Sequence, residues 1–186
     1  MPLILTVLVP ALFLFQVPTE DARRAREMAN ARLELARKIA ADPELVKAIV
    51  AKNAINESPD EIKKRDADWQ KNPAYPLRKQ LTQNPCAHRL RQIVEVDPQV
   101  VEAFLMDQRG GLVCSTVETS DYYQGDEAKW TKTYSEGKFV YVDAPALDYS
   151  TNTMAIQLST VVLDGPRKVG ALTLTLKIPR SQLQGP

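Results

Sequence analysis

The residues best suited to chemistry lie between 119 and 130, in the run Thr-Ser-Asp-Tyr-Tyr-Gln-Gly-Asp-Glu-Ala-Lys-Trp. Three rings (Tyr122, Tyr123, Trp130), three acids (Asp121, Asp126, Glu127) and Lys129 share twelve positions. Aromatic faces supply contact area and a few polar groups fix orientation, which is the composition of a small-molecule site. Tyr141 and Asp143 join them: two residues apart on a β segment, they share one sheet face. Asp143 interrupts an apolar run, so it points either to solvent or into a polar pocket where it can hold a cation. For each group a structural reading competes. Trp130 can stack on a ligand or bury itself. Tyr122 and Tyr123 can diverge, one lining a pocket and one packing. Lys129 can meet a ligand carboxylate or simply be solvated.

Other chemistries are poorly served. Asp121, Asp126 and Glu127 lack the alternating spacing of a calcium loop, and Asp126 suits a helix cap, so no metal site is expected. The chain has one histidine and two cysteines, too few for a four-cysteine or His-rich zinc centre. Cys86 and His88 stand two apart, but a nucleophilic pair also needs an orienting group and an oxyanion site. No nucleophile elbow, P-loop or dinucleotide fingerprint is present. No catalytic residue and no cofactor is therefore expected.

The elements that must position these groups follow from periodicity. The 186 residues hold 44% hydrophobic side chains, enough for a packed core, with 24 basic and 23 acidic residues. That near-neutral balance argues against a dedicated nucleic-acid binder. Residues 19–41 carry Ala25, Met28, Leu35, Ala36 and Ile39 at helical spacing, predicting one long amphipathic helix. Asp42-Pro43 and Ser58-Pro59-Asp60-Glu61 are helix starts, the second a capping box. Leu77, Leu81, Leu90, Ile93 and Val94 mark further short helices before Pro98. Then the period changes to two. Strands are expected at 100–106, 112–117, 139–144, 154–163 and 169–178, with a glycine turn at 109–111 and another at 164–166. Residues 126–134 are expected to be helical. Cys86 is placed in a loop and Cys114 on a strand, and whether they pair is open.

Residues 3–17 are almost wholly apolar and cover about 22 Å as a helix, short of a ~30 Å hydrocarbon core. Three readings remain: a secretory signal, an N-terminal anchor, or a buried element. The expected organisation is 1–18 as signal or anchor, 19–98 as a helical lead-in and 99–180 as a sheet, with 19–180 forming one domain.

In that order the segments VVEAFLMDQRGG, LVCSTVE, TSDYYQGDEAKWTKTY and AIQLSTVVLDGPRKVGALTLTL resemble a Cache domain of the PDC sensor type. The resemblance implies an α+β fold: a PAS-like five-stranded antiparallel sheet with a long N-terminal helix packed on one face. It also implies an extracytoplasmic sensor module of a bacterial receptor, binding a small polar ligand on the face opposite that helix. Ligand-binding positions on that reading are Tyr122, Tyr123, Lys129, Trp130, Tyr141 and Asp143. Amino-acid-binding relatives grip the ligand carboxylate with an Arg-x-Trp-Tyr motif; here the corresponding stretch reads Lys129-Trp130-Thr131-Lys132. The expected location is periplasmic, with membrane contact only through the N-terminal segment. The expected partners are the small molecule, a membrane receptor or kinase, and a second copy docked through the long helix. The alternative is a structural or adaptor protein of the cell envelope on the same fold, with no ligand.

Overall fold

A computed structural model describes residues 19–148 and 151–183. Six antiparallel strands form one sheet in the order β2-β1-β6-β5-β3, with β4 pairing beside β3 on β5. The strands are β1 (Val100–Asp107), β2 (Leu112–Ser115), β3 (Val140–Val142), β4 (Ala146–Asp148), β5 (Thr153–Asp164) and β6 (Arg167–Pro179). The fold is α+β and PAS-like. Two findings correct the expected detail. The 139–144 segment contributes only three strand residues, leaving Asp143 just past the end of β3, and a further short strand, β4, is added.

The long N-terminal helix is two: α1 (Thr19–Asn30) and α2 (Leu33–Ala40). No glycine or proline causes the break. Arg32 at the junction donates to the Met28 carbonyl and reaches across to Asp97 (2.8 Å) and Gln99 (2.5 Å), just ahead of β1. Its side chain thus satisfies a carbonyl at the end of α1 that would otherwise lack a partner.

Alternation in the strands divides the core. Leu172, Leu174, Leu176 and Ile178 of β6 and Ile156, Leu158 and Val162 of β5 pack with Ala25, Ala29, Ala36 and Ile39 of α1 and α2. Leu45 and Ile49 of α3 (Pro43–Ile55) and Ala87 and Leu90 of α6 (Pro85–Val94) complete that cluster. The opposite sheet face carries Phe104, Met106, Leu112 and Ala171, covered by Ile62 and Trp69 of α4 (Pro59–Lys71) and Leu77 and Leu81 of α5 (Pro76–Gln83). Tyr122 belongs to this second cluster. Both expected helix starts form: the Asp42 side chain accepts from the Glu44 and Leu45 amides, and Ser58 and Glu61 close a reciprocal capping box.

Cys86 lies near the start of α6 rather than in a loop, and it is bonded to Cys114 on β2. Its thiol is committed, so Cys86 and His88 form no nucleophilic pair. The apolar 3–17 segment lies outside the described residues. Among the described residues, no helix is long and apolar enough to cross a membrane.

Candidate functional site

The 119–125 segment runs back along the β1–β2 turn. Leu112 N–H donates to Tyr122 O, Gln124 N–H donates to Gly110 O, and Gly111 bridges to Tyr123. Gly110 has φ +82°, and a Cβ there would run into the Gly125 backbone, so close approach and positive φ both require glycine. From the other side α4 holds the same segment. Asp66 accepts from the amides of Tyr122 (3.0 Å) and Tyr123 (2.9 Å), and the Trp69 indole donates to Thr119 O at 3.1 Å.

Tyr122 is fully buried. Its hydroxyl donates to Glu57 at 2.8 Å, and Glu57 is also paired with Lys52 (2.7 Å) and Arg65 (2.8 Å). Burial and the Glu57 carboxylate both push the phenol well above its ordinary range. Burial opposes the charge on Glu57, yet the hydrogen bonds from Lys52 and Tyr122 outweigh it and hold the carboxyl below the usual range. Tyr122 is therefore a core anchor with no exposed side-chain surface. Tyr123 is half-buried and packs on Gly125.

Trp130 closes a short helix, α7 (Ala128–Trp130), which continues as a π-helical turn over Thr131–Ser135. The indole donates to Asp107 O (3.0 Å), and its ring stacks on Tyr134 with centroids 5.0 Å apart. Lys168 holds the end of the turn by donating to Tyr134 O at 2.6 Å. Lys129, nearly buried, lies 5.3 Å above the Phe104 ring and pairs with Glu127 at 2.9 Å.

Beneath this turn the sheet is polar. Strand register places Ser115, Phe104, Thr173, Ser159 and Tyr141 in one row across the face away from α1. The Ser159 and Thr173 hydroxyls are fully buried and bonded to each other at 2.9 Å. The next row is Glu102, Thr175, Gln157 and Asp143: the Thr175 hydroxyl donates to Glu102 (2.6 Å), the Gln157 amide to Thr175 (3.3 Å), and Asp143 N–H to Gln157 O. Asp143 also accepts from the Tyr141 hydroxyl at 3.1 Å and from the Ala144 amide.

The structure thus sets Lys129 over the β1 end of a polar sheet face and Tyr141 with Asp143 at its β3 end. Trp130 and Tyr123 stand on the adjoining aromatic cluster, and Tyr122 lies inside it. Glu102, Gln157, Ser159, Thr173 and Thr175 escaped the sequence reading. Their signal was there in β6, where leucines alternate with Thr173 and Thr175: the apolar half names the core face, and the other half names this row.

No family model and no curated protein matches the chain. Several solved structures do. The ligand-binding domain of the amino-acid chemoreceptor PctC of Pseudomonas aeruginosa PAO1, in complex with GABA, is similar at 14% identity and TM-score 0.44, over 86% of this chain. The V. cholerae histidine kinase DctB sensor domain is similar at 14% and 0.44 over 89%, and the E. coli DcuS sensor domain at 12% and 0.43 over 89%. The chain spans 57% and 55% of the length of the first two and 96% of the third.

Proposed function

We propose that this chain is a non-enzymatic, extracytoplasmic sensing module that binds a small polar metabolite between the polar sheet face and the 119–135 segment. The observation that carries the reading is the Ser159–Thr173 and Asp143–Gln157–Thr175–Glu102 network under Lys129. Folding does not need a hydrogen-bonded polar network across the middle of a sheet, whereas a site needs fixed, convergent polar groups. Tyr123, Lys129, Trp130, Tyr141 and Asp143 are the contact residues on this reading, and Tyr122 holds the segment in place.

The Cys86–Cys114 bond supports an oxidising compartment. A signalling route is also at hand. Arg180, just after β6, pairs with Asp21 of α1 at 3.0 Å, and Arg32 ties the α1–α2 junction to Asp97. A shift of the sheet on binding would reach the N-terminal helices through these pairs, provided the ligand favours one of two states. Output then runs to a receptor or kinase, or through a second copy docked along α1 and α2.

A thermal-shift panel on the full chain tests the reading with amino acids, carboxylates, amines, purines and neutral sugars. A saturable rise from one class is expected, since binding to the native state stabilises it. Trp130→Ala with Asp143→Ala should remove that rise while leaving the circular dichroism spectrum unchanged. No rise from any class would instead favour the adaptor reading.

A further inference from the structure

We propose that this site selects an organic cation, an amine without a carboxylate, and that Glu127 sets the preference by occupying Lys129. The inference rests on the site proposed above and names its ligand class. A carboxylate ligand is held most strongly by a cation that is free to pair with it. On the turn that covers the sheet, Lys129 is the nearly buried cation, and its ammonium is already matched by Glu127 at 2.9 Å. Lys132, on the same turn, is matched by Glu136 at 2.6 Å.

The row of the sheet beneath has the opposite balance, and Lys177, the next residue on this face of β6, is paired with Asp148 at 3.4 Å. Asp143 takes its hydrogen bonds from a phenol and a backbone amide, and Glu102 takes one from a threonine hydroxyl. These donors are neutral, so the negative charge of each carboxylate is hydrogen-bonded and not cancelled. Both are half-buried, where charge is screened less than in water. Gln157 and Thr175 lie between them, so the two carboxylates close the ends of a row three strand spacings wide, about 14 Å between Cα atoms. Such a row attracts an ammonium group at either end and repels a carboxylate, and that repulsion is what gives specificity.

Calorimetry and thermal shift on the full chain decide it, with putrescine and succinate as probes. Putrescine should raise the melting temperature saturably and succinate should not. Asp143→Asn combined with Glu102→Gln should weaken putrescine at least tenfold without lowering the unliganded melting temperature. Glu127→Gln frees Lys129, and a succinate response should then appear. Succinate binding to the unaltered protein would overturn the inference, as would putrescine binding that survives the double substitution. A response to purines or sugars, with none to either probe, would overturn this inference and leave the sensing reading standing. No response to any class sinks both.

Discussion

Tyr122 shows how one residue can be informative for a reason other than its apparent one. A tyrosine beside acids in a connector suggests a pocket wall; this one is a buried strut whose hydroxyl satisfies Glu57. Tyr122→Phe should therefore cost about 1–2 kcal/mol, measured by urea denaturation, because a buried carboxylate loses a donor. Glu57 itself makes stability pH-dependent. Its folded pKa lies below the ordinary 4.5, so its contribution is fully present above about that pH and is lost as pH falls through the lower folded value. Burial pushes Asp107 the other way, to a raised pKa, so its protonation on acidification offsets part of that loss. Glu57→Gln should weaken the protein at pH 7, where Lys52 and Arg65 lose their partner, and should flatten the fall in urea midpoint between pH 6 and pH 3. An equally steep fall in the variant would show that the acid sensitivity lies elsewhere. The partners of Tyr122 were not legible beforehand because Glu57 and Asp66 lie more than fifty residues away in the chain, and only tertiary packing brings them to it.

At the scale of elements, what was legible was what local chemistry decides. Asp42-Pro43, the Ser58–Glu61 box, the glycine turns and the two-residue period of β6 each act within a few residues, and each appears where expected. Ser58→Ala should lower stability by about 1 kcal/mol through the lost cap, a fall of about 2–4 °C in melting temperature for a chain this size. The α1–α2 break was not legible, because the arginine that sits at it has its partners, Asp97 and Gln99, beyond five intervening helices. The polar row was half legible: β6 shows it, but register across four strands is needed to see that Asp143 and Glu102 end the same row. Gly110 belongs to this scale as well, because it sets how closely the 119–125 segment lies on the β1–β2 turn. Gly110→Ala meets both a positive φ and the Gly125 backbone. It should destabilise by more than the ~1 kcal/mol of an ordinary glycine replacement and weaken any ligand response along with stability. A variant as stable as the parent would mean that the two strands of this turn separate easily, and the site would then need another support.

Across the whole molecule the sheet has two edges to protect, and it protects them differently. β3 and β4, which share one edge along β5, are three residues each, too short to template another strand. β2, at the other edge, has all four residues buried, and it is held by the Cys86–Cys114 bond and by α5 and α6 packed beside it. The bond closes a loop with a sequence separation of 28, which spans α6, β1 and the turn into β2. Constraining such a loop in the unfolded chain is worth about 3–4 kcal/mol on the chain-entropy argument. Cys86→Ala with Cys114→Ala should lower the urea midpoint by a corresponding amount. Dithiothreitol should do the same to the parent protein and nothing further to the variant. The Glu102–Thr175–Gln157–Asp143 row runs from β1 through β6 and β5 to the end of β3 and takes no residue from β2, so ligand affinity in the variant should stay within about twofold once the folded fraction is corrected for. A larger loss of affinity would mean that the β2 edge and the 119–125 segment riding on it carry the site's geometry. The disulfide would then hold the ligand-binding state itself as well as the fold.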